Sequence, residues 1–202
     1  MTPEAHLEKR WRHVILNTRC SWLHGDERGF RSREHRIHSS GDYKHRPPIT
    51  EHAGLRRYHQ ERSGAPVSLD REIRIIILRE FVLKMRALEH DIRACSVGEE
   101  HLHAIPELPD DYKLMKREVG KCKQKASHAV RDMLPGSIWS EGGAFKELED
   151  DGHLGNTLSY IRTKQEAGTI VWSEIDDENW IDDLEVGVIV MAPGRQRFRI
   201  FV

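Results

Sequence analysis

The segment Glu100-His101-Leu102-His103-Ala104-Ile105 has the pattern of a β-strand that carries two histidines on one face. Because side chains alternate between the two faces of a strand, we expect His101 and His103 to point the same way and Leu102 and Ala104 to point the other way. Two neutral imidazoles side by side can bind a divalent metal if a third ligand comes from another element. They can equally be two surface or hydrogen-bonded histidines.

The length of 202 residues allows one domain, or one domain with an appendage, that can bury a hydrophobic core. Charged residues make up 32% of the chain and nearly balance to a formal net charge of −1, but they are unevenly distributed along the sequence. Residues 6–62 are rich in arginine and histidine, whereas residues 172–185 carry acidic side chains and no basic ones. This asymmetry favours a basic surface for an anionic partner, although a solvated surface of mixed charge gives the same composition.

The cysteines indicate a reducing compartment. Cys20, Cys95 and Cys122 are odd in number, widely spaced and without a CxxC pair, so neither a disulfide framework nor a zinc ribbon is predicted. The sequence shows no signal peptide and no apolar run long enough to span a membrane. We therefore expect a soluble, cytoplasmic protein with no membrane partner.

Apolar periodicity and turn residues predict the remaining elements. Strands are expected at 11–20, 90–97, 100–105, 137–140, 184–191 and 196–202, with the second and third forming a hairpin that Pro106 and Pro109 close. Helices are expected at 68–86, with Ser68 as the N-cap, from Asp110 or Asp111 to 134, and at 150–167, where Gly168 ends the helix. The second of these helices presents an exposed, lysine-rich face.

Residues 21–66 are predicted to form a long irregular insertion that contains five glycines and three prolines. Its aromatic side chains alternate with arginines, including Arg31 and Arg33. Such a mixture suits single-stranded nucleic acid, whose bases stack on aromatic rings while arginines contact the phosphates. An Ω-like loop that covers the sheet is the alternative.

The order of these elements resembles the single-tyrosine HUH endonucleases, which include the insertion-sequence-200-like transposases and the REP-associated tyrosine transposases. His101-Leu102-His103 resembles their His-hydrophobic-His motif, and Tyr160-Ile161 with Gln165 resembles their tyrosine helix. The first-strand run 11–14, the lysine-rich helix and the run 166–172 also match that family. The resemblance covers residues 11–172.

This resemblance implies an α+β fold, with a ferredoxin-like antiparallel sheet and helices packed on it, to which a C-terminal β-hairpin is added. It implies a domain at 1–172 that contains the insertion at 21–66, followed by an acidic linker and the hairpin at 173–202. The implied activity is that of a DNA transposase or endonuclease that cuts and rejoins single-stranded or hairpin DNA through a 5′-phosphotyrosine intermediate. The family also works as homodimers, in which the tyrosine helix of one subunit completes the site of the other.

The implied site consists of a nucleophile and a divalent metal, Mg²⁺ or Mn²⁺. Tyr160 would be the nucleophile, and His101, His103 and Gln165 would bind the metal. The residues expected to contact DNA are Arg31, Arg33, Lys121, Lys123 and Lys125.

Gln165 departs from the family pattern, in which the glutamine follows the tyrosine by four residues. Lys164 has that position here, and one further residue rotates a side chain about 100° around a helix. Either the helix ends or bulges at this point, or other groups complete the metal site. The departure favours an alternative function, a catalytically inactive nucleic-acid-binding protein of the same fold. A structural zinc bound by the histidine pair is a third, weaker interpretation.

Overall fold

The computed structural model describes residues 8–26, 28, 39–40, 45, 48 and 50–175, together with the backbone of two strands at 186–191 and 197–201. The chain divides into two compact units, one formed by residues 1–17 and 69–202 and the other by residues 18–68. Arg31 and Arg33 lie outside the described residues. The predicted boundary at residue 172 stays a prediction.

The described strands of the larger unit form one antiparallel sheet in the order β4-β1-β3-β2-β5-β6-β7. The strands are β1 (Lys9–Asn17), β2 (Ile92–Val97), β3 (His101–Pro109), β4 (Ala144–Glu147), β5 (Ile170–Ser173), β6 (Val186–Met191) and β7 (Arg197–Phe201). The helices of this unit are α2 (Arg71–Ala87), α3 (Tyr112–Ala129) and α4 (Asp151–Thr163). The C-terminal hairpin extends the sheet beyond β5.

The connections between strands are those of a ferredoxin-like fold. α2 connects β1 to β2, and β3 lies between these two strands; α3 then precedes β4, which pairs with the far side of β1. The predicted fold class, an α+β protein with helices on an antiparallel sheet, is confirmed. Among the residues that the structure describes, no helix has the length and apolar character needed to cross a bilayer.

Aspartates cap the N-termini of the three helices in this unit. Asp70, Asp111 and Asp150 each accept a hydrogen bond from the backbone N–H three residues later, which satisfies a donor that the helix cannot pair. The prediction that Ser68 caps α2 is therefore wrong. Asp70 takes this role because its carboxylate lies 2.9 Å from the N–H of Ile73.

The helices pack on opposite faces of the sheet. On one face lie α2 and α3, where the guanidinium of Arg86 is 5.2 Å from the ring centroid of Trp172 on β5. On the other face, α4 buries Ile161 against Ile105 of β3 and Val171 of β5. His103 is two residues before Ile105 on β3, so their side chains lie on the same face of the sheet, which is the face covered by α4.

Several predicted boundaries differ from the structure. Trp139 makes an isolated bridge, and the strand of this region is β4, a few residues later. Pro106 does not close the preceding strand, since β3 continues to Pro109. The register between β2 and β3 shifts between Ile92 and Cys95, next to the position that pairs with Pro106, and such an irregularity tolerates a residue that has no N–H.

The smaller unit contains one described helix, α1 (Ala53–Ser63), so the prediction of a wholly irregular 21–66 segment is wrong at these residues. α1 buries none of its side chains, and an apolar stripe therefore could not reveal it. Two exposed aromatic rings in this unit are each covered by an arginine. Arg28 lies 4.7 Å from the ring centroid of Trp22, and Arg62 lies 3.9 Å from that of Tyr58.

Candidate active site

The two histidines of β3 lie together on the α4 face of the sheet. The ring centroids of His101 and His103 are 4.9 Å apart, with an angle of 76° between the ring planes. His103 is buried and lies in the middle of the sheet, paired with Ile15 on β1 and with Ser96 on β2. The alternation of the strand thus brings both imidazoles to one place.

A third histidine, His13 on β1, joins this pair. Its Nε2 lies 2.9 Å from Nδ1 of His103, and the two rings stack with their centroids 5.1 Å apart. Sequence reasoning assigned His13 no role, because only the pairing of β1 with β3 brings it to His103. The alternating pattern of β1 could indicate which face of the strand His13 is on, but not which residue of another strand it contacts.

Burial favours the neutral form of His103 and of His13. It lowers the pKa of His103 to about 3, with smaller contributions from electrostatic interactions with His101, His13 and Lys146. Burial also lowers the pKa of His13 to about 4, aided by Lys146 and His153. An imidazole must be neutral to bind a metal, and at neutral pH these two rings meet that requirement.

Helix α4 brings Tyr160 to the same place. The ring of Tyr160 meets that of His103 edge to face, with the centroids 5.8 Å apart and the planes at 86°. The neighbouring Ile161 is fully buried and fixes the helix on the sheet, whereas Tyr160 keeps 41% of its surface exposed. Tyr160 is therefore accessible from the surface, and its contact with His103 forms within a single chain.

Gln165 lies just beyond the end of α4. The helix ends at Thr163 with Lys164 as its C-cap. Gln165 therefore lies outside the helix, and the rotation of about 100° per helical residue does not apply to it. Its Nε2 donates a hydrogen bond to the backbone oxygen of Tyr160 at 3.3 Å. Gln165 is thus held beside the backbone of Tyr160, and its role as a metal ligand stays a prediction.

The polar groups around the histidine pair suit a divalent ion. The hydroxyl of Ser96, opposite His103, and that of Thr169 are buried, and the described part of the chain offers neither a hydrogen-bond partner. A Cβ on Gly98 would lie 3.4 Å from Nε2 of His101 and 3.6 Å from the Thr169 hydroxyl, so both groups border this glycine. No cluster of three or more His, Cys, Asp or Glu side chains in the described segments has metal-binding geometry. A third ligand would therefore be an amide, water or phosphate oxygen, as the two-imidazole donor set allows.

Two further basic side chains lie near His13. Lys146 of β4 pairs with His13 of β1 and is exposed, and its charge acts on both His13 and His103. His153, in the first turn of α4, acts on His13. Sequence reasoning missed both residues, and the charge of Lys146 acts on two of the histidines at this site.

The lysines predicted to contact DNA lie on α3, which packs on the opposite face of the sheet from the histidines. Lys121 pairs with Glu118 at 3.0 Å, and Lys125 pairs with Glu80 at 3.3 Å. Lys123 donates to the backbone oxygens of residues 140 and 142, both at 2.9 Å, and burial lowers its pKa. The structure thus gives these lysines partners within the protein, and their contact with DNA stays a prediction.

Comparisons with known proteins include a distant structural similarity. No protein-family model matches the chain, and no curated protein matches it. The solved structure of a REP-associated tyrosine transposase bound to a REP hairpin is 18% identical in sequence and has a TM-score of 0.38. The match covers 80% of this chain and 70% of the transposase chain. A similarity at this level supports no conclusion about function.

Proposed function

We propose that this protein cuts and rejoins single-stranded DNA, with Tyr160 as the nucleophile and His101 and His103 as ligands of a divalent metal. The contact between the Tyr160 ring and His103 is the observation that carries this proposal. These residues come from elements more than fifty positions apart in the sequence, yet the fold brings a partly exposed phenol to a pair of imidazoles. That combination of a nucleophile and a metal-binding pair suits phosphoryl transfer.

In the proposed reaction, the phenol oxygen of Tyr160 forms a bond to the phosphorus of a DNA phosphodiester. The bond from phosphorus to the 3′ oxygen breaks, the phenol proton passes to solvent, and the leaving oxygen takes a proton to become a free 3′-hydroxyl. The product is a 5′-phosphotyrosine, which conserves the energy of the phosphodiester. A 3′-hydroxyl from another DNA end can then attack it, which rejoins the DNA and releases Tyr160.

His101 and His103, together with Gln165 or a water, would hold Mg²⁺ or Mn²⁺. When bound, such an ion supplies Lewis-acid polarisation of the phosphate and stabilises its developing negative charge. Lys146 would attract the DNA backbone to the same face. Hairpin DNA and homodimer formation are further parts of this proposal, although the contact between Tyr160 and His103 does not need a second subunit.

The proposal is tested by incubating the protein with labelled single-stranded hairpin DNA and Mn²⁺, followed by a denaturing gel. We expect a covalent protein–DNA band that is absent in Tyr160→Phe, in His103→Ala and in the presence of EDTA. Tyr112→Phe is a matched control, because Tyr112 is similarly exposed but lies on α3. A band that survives in Tyr160→Phe would show that another residue is the nucleophile.

A second candidate function is DNA binding without cleavage. The position of Gln165 favours it, because the amide of this residue bonds to the backbone of Tyr160. This function predicts salt-sensitive binding of hairpin DNA on a native gel and no covalent band at any Mn²⁺ concentration.

A further inference from the structure

We infer that His13 is a positioning residue, which holds His103 in the tautomer that carries its proton on Nδ1 and thereby leaves Nε2 free to bind a metal. The inference rests on the proposed function for its purpose, whereas the tautomer can be measured by itself. The geometry that supports it is the 2.9 Å contact between Nε2 of His13 and Nδ1 of His103. Nδ1 is thus engaged by a neighbouring strand, and Nε2 is the remaining ring nitrogen.

The contact places one proton between two neutral rings. A neutral imidazole has one N–H donor and one acceptor nitrogen, so two arrangements are possible. If His103 donates from Nδ1, its Nε2 keeps the lone pair that a metal requires. If His13 donates, the proton of His103 lies on Nε2, and that nitrogen cannot be a ligand. Metal-binding histidines generally donate their second N–H to a neighbouring acceptor, and His13 provides such an acceptor here.

The surroundings of His13 fit a role beside the candidate metal ligands. It lies on β1, next to the β3 strand that carries both candidate ligands, and its ring stacks on that of His103. In the described segments, His13, His101 and His103 do not form a three-histidine metal geometry. His13 is therefore assigned to support a ligand rather than to be one.

The tautomer can be measured by long-range ¹H–¹⁵N correlation of the histidine rings in the metal-free protein with EDTA at pH 7. The ring signals of His103 are assigned by their loss in His103→Gln. We expect a protonated Nδ1 and an unprotonated Nε2 for His103 in the wild type, and loss of this preference in His13→Leu. A His103 ring with its proton on Nε2 in the wild type would overturn the inference.

Metal affinity provides the second readout. We expect His13→Leu to weaken Mn²⁺ binding about 10–100-fold, the usual effect of losing such a supporting group. His13→Gln should restore most of the affinity, because its amide oxygen can accept the proton of Nδ1. His128→Leu, an exposed histidine on α3, is the control. Circular dichroism confirms that the variants fold, and equal losses in His13→Leu and His13→Gln would contradict the positioning role.

Co²⁺ spectra separate support from direct ligation. A supporting residue leaves the d–d spectrum of the saturated His13→Gln variant unchanged, whereas loss of a ligand nitrogen changes it. If the wild type bound neither Mn²⁺ nor Co²⁺, the proposed function would lose its metal. The ring-nitrogen spectrum would still decide whether His13 sets the tautomer, so the two failures are distinguishable.

Discussion

The ring of Tyr160 meets the ring of His103 edge to face, with the two centroids 5.8 Å apart. This relationship joins α4 to β3, an interior strand of the sheet. It places an exposed phenol beside a buried imidazole whose Nδ1 is already in contact with Nε2 of His13. The proposed chemistry depends on this contact, and the following predictions test the groups around it.

The ring of His101 packs against Gly98, where a side chain would crowd it. A Cβ at this position would lie 3.3 Å from Cε1 and 3.4 Å from Nε2 of His101, which is tight enough to displace the ring. We expect Gly98→Ala to weaken Mn²⁺ binding about tenfold, since a displaced ligand loses its geometry. Titration calorimetry measures this affinity.

Gly120→Ala is the matched control for Gly98→Ala. Gly120 lies inside α3, and nothing lies within 4 Å of a Cβ built on it. We expect unchanged Mn²⁺ affinity and a gain of about 1 kcal/mol in the free energy of unfolding, because alanine favours the helix. An unchanged Mn²⁺ affinity in Gly98→Ala would contradict the assignment of His101 as a ligand.

Lys146 is expected to contact a DNA phosphate at the candidate site. Removing one such contact from a complex with single-stranded DNA reduces the slope of log affinity against log salt by about 0.7. We therefore expect Lys146→Met to bind single-stranded DNA more weakly and with a shallower slope, as measured by fluorescence anisotropy between 50 and 200 mM salt, the range over which such contacts are usually compared. Lys116→Met makes the same charge change on α3. Equal losses in both variants would indicate an effect of net charge and contradict a local contact.

The free energy of unfolding should decrease as the pH falls, in part because of His90. This residue is buried, its Nδ1 has no partner in the described part of the chain, and burial lowers its pKa despite the nearby Glu118. Below the unfolded pKa of about 6.5, the unfolded chain binds a proton that the folded chain does not, so the free energy of unfolding decreases as the pH falls. The nearby positive charges of Lys9 and Lys121 act in the same direction.

Urea unfolding of the metal-free protein at pH 7.5 and 5.5 measures this effect. We expect the wild type to lose up to about 1 kcal/mol more between the two pH values than His90→Asn loses. His128→Asn, which replaces an exposed histidine, should lose as much as the wild type. The same pH dependence in wild type and His90→Asn would show that His90 does not contribute.

The sequence predicted the parts of the site that depend on local pattern. The alternation along β3 placed His101 and His103 on one face, and the apolar spacing of α4 placed Tyr160 on a helix. Pairing between distant strands is not encoded in such patterns, so His13 and Lys146 were missed. The end of α4 at Thr163 was also missed, because helix length depends on the capping of the last turn.

The most direct test of the central claim is to identify the residue that carries DNA after the reaction. The wild type is incubated with single-stranded DNA and Mn²⁺, digested with nuclease and trypsin, and analysed by mass spectrometry. Trypsin should release residues 147–162, in which Tyr160 is the sole tyrosine. We predict a phosphonucleotide on Tyr160 of this peptide. A covalent adduct on any other residue, or no adduct while the DNA is cut, would contradict the proposed mechanism.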